Sequence, residues 1–289
     1  MTCGMLEAST GPLVPYRGAI AMDADRRTVL FADQANRTGY PASCTKLMTL
    51  LLILEDLKAG RYAVTDRAVA SAYAANMEPS KIGLRAGQSM TIDDLLYALM
   101  LKSANDGAVV LAEHAAVAHG EKGTNRLARV NAFVARMNRR ARELGMTATR
   151  YASPNGLPPP RGSKRGFDVS TAADLARLGC ALVSIPEVLK YTSRPSFTVT
   201  DGNGKPLSFA NHNYFIPRNR DPKGFAVPVP GCDGLKTGYT IASGSSIILT
   251  AQRNGRRVVV VVLGSQGRQN REQAAGKILC DALDAVSLW

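Results

Sequence analysis

Three short polar groups in this chain have the residue types and spacing that acyl-transfer chemistry needs. The first is Ser43-Cys44-Thr45-Lys46. Residues i and i+3 share one face of a helix, so the Ser43 hydroxyl and the Lys46 amine can meet. A helix starting there offers unpaired backbone N–H groups and the positive end of the helix dipole. Both favour the oxyanion that forms when a serine attacks a carbonyl. A lysine serves as a base only when its pKa falls, through burial or a neighbouring cation. The second group, Ser103-Ala104-Asn105, offers another hydroxyl and an amide. The third is Lys236-Thr237-Gly238, where a cation and a hydroxyl can hold a carboxylate and the glycine lets a substrate backbone approach a strand edge. Each group alone has a plainer reading: a capping serine with an exposed lysine, a turn, and a strand end.

The elements that must position these groups follow from periodicity and turn chemistry. Arg17–Met22 and Thr28–Ala32 read as strands around the turn Asp23-Ala24-Asp25-Arg26. Thr45–Leu57 is predicted as a helix ending at Gly60, and it is apolar nearly all round, which calls for a central buried position. Thr91 to Asp94 resembles a capping box ahead of a helix over Leu95–Leu101, with a second helix over Asp106–Ala118. Leu127, Val130, Val134, Met137, Ala141 and Leu144 recur in steps of three and four, a core-facing seam that Gly145 ends. The opposite face, with Arg126, Arg129, Arg136, Arg139 and Arg140, reads as solvated. Thr171–Val183 is predicted as a helix capped by Ser170.

Phe197–Thr200 and Pro206–Ala210 suggest a hairpin around Asp201 to Gly204. Gly234–Thr240, Ser245–Gln252 and Arg257–Leu263 read as strands, the last two joined at Asn254-Gly255, and a final helix spans Gln269 to Ala285. Strands from both ends thus flank a helical stretch. The expectation is an α/β (α+β) chain with one antiparallel sheet built from both termini, helices packed on it, and a helical insertion. The sheet lobe would comprise 1–60 and 161–289, the helical lobe 61–160, with the active site between them.

Composition narrows the function classes. With 45% hydrophobic and 20% charged residues, the 289-residue chain is an ordinary globular protein. A net charge of +13 points to solubility or an acidic partner. Aromatics are only 6%, with no zinc-finger spacing, which argues against nucleic acid. The five cysteines (Cys3, Cys44, Cys180, Cys232, Cys280) form no C-x-x-C pair, so neither a disulfide framework nor a zinc site follows. His114, His119 and His212 read as ordinary side chains, and no metal is expected. Residues 1–16 lack the features of a secretory signal, and no apolar run is long enough for a membrane span or anchor.

Ser-x-x-Lys, Ser-x-Asn and Lys-Thr-Gly in this order resemble the motif set of penicillin-binding proteins and class A β-lactamases. Tyr40 to Thr49 and Asp233 to Thr240 are similar to the corresponding segments of D-alanyl-D-alanine carboxypeptidases, as are Ser153 to Leu157 and Ser170 to Leu175. The resemblance runs from about Arg17 to Ala285. It implies the penicillin-binding/β-lactamase-like fold and an acyl-enzyme reaction on peptidoglycan stem peptides ending in D-Ala-D-Ala, without cofactor. It implies β-lactams as covalent inhibitors and export to the periplasm or cell envelope.

The same resemblance implies roles. Ser43 is the nucleophile, Lys46 its base, and Ser103 a proton relay to the leaving amine. Asn105 bonds the substrate amide, and Lys236 with Thr237 holds the terminal carboxylate. The backbone N–H groups of Ser43 and Tyr239 form the oxyanion hole. The absence of Glu-x-x-Leu-Asn argues against a β-lactamase. A transpeptidase or endopeptidase, and a non-catalytic wall-binding module, remain alternatives. The additional β-rich domain and amphipathic anchor of many relatives are not expected, since the chain stops at Trp289.

Overall fold

The computed structural model describes residues 16–121, 123, 125–200 and 206–287. Strands β1 (Gly18–Asp23) and β2 (Thr28–Asp33) form the first hairpin. A 3-10 turn over Ala42–Thr45 leads into α1 (Lys46–Lys58). Next come β3 (Arg67–Val69), α2 (Ala72–Ala75), β4 (Ser89–Thr91) and α3 (Ile92–Tyr97), then α4 (Asn105–Ala118) and α5 (Arg126–Glu143). The chain continues through α6 (Ala172–Val183), α7 (Glu187–Thr192), β5 (Ser196–Thr200) and β6 (Pro206–Ala210). It closes with β7 (Cys232–Thr240), β8 (Gly244–Arg253), β9 (Arg256–Ser265) and α8 (Arg268–Ser287).

The five-stranded sheet has the order β2-β1-β9-β8-β7 with every neighbour antiparallel, so both ends of the chain build it, as expected. Its side chains divide by parity. Ile20, Met22, Ile248, Val259, Val261 and Leu263 join the large core formed with α1, α3, α4, α5 and α6. Their alternates Ala19, Ala21, Leu249, Val258, Val260 and Val262 pack under α8. Burial on both faces is why β9 carries an unbroken valine run instead of alternating apolar and polar residues. The β8–β9 turn places Asn254 at φ 51° and Gly255 at φ 78°, the left-handed pair that a tight hairpin needs. The large core continues through both the sheet and the helical stretch of 61–160.

Several local expectations need correction. The α3 helix does not run on regularly to Leu101: residues 98–102 widen into a π turn, which ends at Ser103 with φ 61°. Asn105 lies inside the first turn of α4 rather than before it. Thr171, not Ser170, caps α6 by accepting from Asp174 N, while Ser170 pairs with Gly39 across the chain. In α5, Leu127 is 55% exposed and Phe133 is fully buried in the seam, because the first turn of the helix overhangs the core.

The arginine face is also not uniformly solvated. Arg136 makes two hydrogen bonds to the buried Asp56, at 2.9 and 3.1 Å, and Arg140 pairs with Glu55. The capping box at Thr91 is present, with Thr91 Oγ1 accepting from Asp94 N. Cys3 and the turn at 201–204 lie outside the described residues. Among the described residues, no helix is long and apolar enough to cross a membrane.

Candidate active site

The 3-10 turn and α1 put Ser43 on top of a helix whose first three turns are almost wholly buried. Lys46 is fully buried, and its Nζ touches three oxygens: Ser43 Oγ at 2.8 Å, Asn105 Oδ1 at 2.7 Å and the Asn155 carbonyl at 2.6 Å. Asn105 Nδ2 donates to the Glu78 carbonyl at 2.8 Å, which fixes the amide so that its oxygen faces Lys46. Burial, then the charge of Lys236, holds the Lys46 ammonium well below the usual lysine range. A neutral amine has two hydrogens and one lone pair. Asn105 Oδ1 and the Asn155 carbonyl can only accept, so they take both hydrogens and leave the lone pair for the Ser43 hydroxyl.

The backbone on both sides of this contact is held in left-handed conformations. Ala42, just before the serine, has φ 48°, and Ser103 has φ 61° and ψ 37°. Such residues cost about 1–3 kcal/mol each and persist where surrounding structure enforces them. Beside Ala42 lies Gly156, whose φ is +82° and whose missing Cβ leaves room for the Ala42 carbonyl. Ser103 is buried beside Asn105, and its hydroxyl makes no hydrogen bond among the described residues.

The opposite wall is β7, an edge strand of the sheet. Lys236 is buried and donates to the Thr237 carbonyl at 3.0 Å; burial is the main cause that pulls its pKa down to about 8. Gly238 allows β7 to lie on the nucleophile turn, since a Cβ there would meet the Pro41 carbonyl at 2.7 Å and Cys44 Sγ at 3.2 Å. Cys44 faces this contact, not the cleft: it is buried, its thiol donates to the Lys236 carbonyl at 3.7 Å, and burial pushes its pKa up to about 11. Tyr239 is 63% exposed at the rim.

A cleft of about 460 Å³ lies between these walls. Ser43, Ser103, Asn105, Thr237, Gly238 and Tyr239 all line it, so the structure brings the three sequence groups together. Lys46 and Lys236 lie just behind the lining. Sequence reasoning missed several of the other wall residues. Gly156 lines the cleft and the Asn155 carbonyl meets Lys46, and sequence marks both only as part of a similar segment, since a carbonyl contact leaves no mark on residue type. His212, Tyr214, Arg268 and Arg271 also line the cleft. His212 carries no functional signal in its sequence context; burial in the wall and the cations Lys236, Lys102, Arg271 and Arg268 push its pKa down to about 4, so it stays neutral. Arg268 pairs with Asp221 and Glu272, and Arg271 with Glu272. Among the described residues, no group of three or more His, Cys, Asp or Glu side chains has a metal-holding arrangement.

The model of a family described as D-alanyl-D-alanine carboxypeptidase matches residues 8–267. The carboxypeptidase DacF of Bacillus subtilis is 31% identical over 270 residues, covering 91% of this chain and 61% of that protein. DacB2 of Mycobacterium tuberculosis is 32% identical over 249 residues, covering 86% of this chain and 75% of its own. The chain therefore spans only about three-fifths of DacF. The crystal structure of the Streptomyces K15 DD-transpeptidase superposes with a TM-score of 0.80 at 24% identity, over 95% of this chain and 99% of that one, which establishes the fold.

Proposed function

The chain belongs to the D-alanyl-D-alanine carboxypeptidase family, and from that premise we propose that it is a serine-type carboxypeptidase acting on peptidoglycan stem peptides that end in D-Ala-D-Ala. The observation that carries this reading is the Lys46 amine, held 2.8 Å from Ser43 Oγ by two oxygens that can only accept.

Ser43 attacks the carbonyl of the penultimate D-alanine, and Lys46 takes the hydroxyl proton. The backbone N–H groups of Ser43 and Tyr239 receive the oxyanion. The peptide C–N bond then breaks, and the proton passes through Ser103 to the leaving amine of the terminal D-alanine. Water attacks the resulting ester and gives up a proton to Lys46, the bond between the acyl carbon and Ser43 Oγ breaks, Lys46 returns the proton to Ser43 Oγ, and the shortened peptide leaves. Lys236, still charged below about pH 8, holds the substrate's terminal carboxylate together with Thr237. Asn105 has one amide hydrogen left for the substrate backbone after its bond to Glu78. The site lies between a sheet lobe (1–60 and 161–289) and a helical lobe (61–160). β-Lactams, which carry a reactive carbonyl beside a carboxylate, acylate the same serine. Action in the cell envelope, where the substrate is found, belongs to the same proposal.

Intact-mass measurement after incubation with a penicillin, followed by assay of D-alanine released from a stem peptide, tests this reading. One covalent adduct on the native protein and none on Ser43→Ala is expected. A folded native protein that forms no adduct would overturn the proposal in favour of a wall-binding module.

A further inference from the structure

Asp168 is a buried carboxylate that the mechanism above does not use. It precedes α6, on a segment clamped to the 150–157 stretch by the reciprocal backbone bonds of Arg150 and Val169, each 2.9 Å. Its Oδ1 accepts from Ala152 N at 2.6 Å and Ser153 N at 3.0 Å, and its Oδ2 accepts from Ser153 Oγ at 2.7 Å. Ser153 Oγ in turn accepts from Gly156 N at 2.9 Å. The N–H groups at both ends of this tight turn are thereby consumed on its inner side. The two carbonyls between them point the other way, toward α1: that of Pro154 to Thr49 Oγ1 at 2.7 Å, and that of Asn155 to Lys46 Nζ at 2.6 Å.

We propose that Asp168 is a positioning residue for acylation, which holds the Asn155 carbonyl on Lys46 through Ser153 and the backbone of 152–156. This rests on the carboxypeptidase reading of the site and deepens it. The carbonyl takes one of the two hydrogens of the neutral amine. If it moves, the lone pair of Lys46 is no longer committed to Ser43. The same turn carries Gly156, whose missing Cβ lets the turn lie against the Ala42 carbonyl, so the braced stretch adjoins the nucleophile turn as well as Lys46. Asp168 also acts through charge. The ionisable groups facing Lys46 are Lys236, Cys44, Asp168 and Asp106, and among them the Asp168 carboxylate favours the ammonium form. Arg165 and the buried Tyr151 face Asp168 itself.

The sign of the expected effect separates this role from simple support. Asp168→Asn keeps an acceptor for the backbone N–H groups and removes the charge. Lys46 then loses its proton at lower pH, and the acid limb of the acylation profile moves down. A brace that only prevented the loop from melting would give the opposite result, because Lys46 reached by water would titrate closer to an ordinary lysine.

The experiment follows Lys46 by NMR in protein carrying 13C-labelled lysine, beside time-resolved acylation by a penicillin, for the native chain, Asp168→Asn, Ser153→Ala and Ser153→Thr. The expected result is a downward displacement of the Lys46 titration in Asp168→Asn. Acylation at saturating penicillin should slow by up to about 100-fold in Ser153→Ala, with rescue in Ser153→Thr and initial binding unchanged. A Lys46 titration in folded Asp168→Asn that stays in place or rises overturns the inference, as does native-rate acylation of Ser153→Ala. If Asp168→Asn does not fold, the Ser153 pair decides alone. The titration needs no turnover, so a native protein that is never acylated would sink the functional reading without being mistaken for a failure of the brace.

Discussion

The two lysines of the cleft are the same residue type, are both fully buried, and stand on opposite walls in different surroundings. Lys46 sits in a helix and faces three oxygens, two of which only accept. Lys236 sits on an edge strand and, among the described residues, its amine bonds only the Thr237 carbonyl, with Arg271 nearby. Burial lowers both pKa values, but the charge of Lys236 pushes Lys46 down further, and Lys236 itself falls only to about 8. Lys46 is thus pressed toward its neutral form, while Lys236 keeps its charge below about pH 8. Two identical side chains acquire different ionisation from desolvation and from each other.

Removing the base should have the largest effect. Lys46→Met is expected to slow acylation by about 10²- to 10⁴-fold, the usual range for a general base, whereas penicillin captured before the bond-forming step should change little. Stopped-flow acylation separates the two, and a variant that acylates at the native rate would break the assignment.

The cation comes next. Lys236→Ala should raise KM for a carboxylate-ended peptide by about 10- to 100-fold, the worth of a charge-assisted hydrogen bond. Lys236 carries its proton below about pH 8 and loses it above, so kcat/KM of the native enzyme should fall as pH rises through that value. Lys236→Arg should remove this basic limb, since guanidinium does not titrate there. A limb retained in the arginine variant would assign it to another group.

The contact that joins the two walls gives a smaller effect. Gly238→Ala puts a methyl 2.7 Å from the Pro41 carbonyl, and overpacking of this kind costs about 1–3 kcal/mol. Thermal unfolding should report that loss, and acylation should slow with it; native stability would mean that the walls are less closely registered than the structure has them. The smallest effect is expected at Cys44. Its thiol remains protonated up to about pH 11, so Cys44→Ala should lose about 1 kcal/mol of stability and leave the basic limb at the same pH. A displaced limb would show that the thiol takes part in balancing the two lysines.

Much of the frame was legible because its signals are local. The apolar run of α1, the Asn254-Gly255 turn and the strands of both ends each rest on periodicity or turn chemistry within a few residues. Where the reading failed, a distant contact decided the outcome. Arg136 belongs by spacing to a solvated face, yet Asp56 on another helix draws it inward. Thr171 caps α6 through its own hydroxyl, while the Ser170 hydroxyl is taken by Thr149 Oγ1. The π turn that ends at Ser103 leaves no compositional trace, since Ala98–Lys102 is a good helical sequence.

The candidate site divides in the same way. Ser43, Lys46, Ser103, Asn105, Lys236 and Thr237 could be named from side-chain type and order, because hydroxyls, amines and amides are written in the sequence. The Asn155 carbonyl, the close approach of Gly156 to Ala42 and the Asp168 brace could not, because every residue carries the same backbone groups and only the fold says which way they point. The sequence by itself therefore determined these six functional groups and the sheet that carries Lys236 and Thr237. Only the tertiary structure decided their ionisation and aim. Desolvation and the orientation of single hydrogen bonds depend on atoms about 60 and 110 residues away along the chain, at Asn105 and Asn155, and no local pattern encodes them.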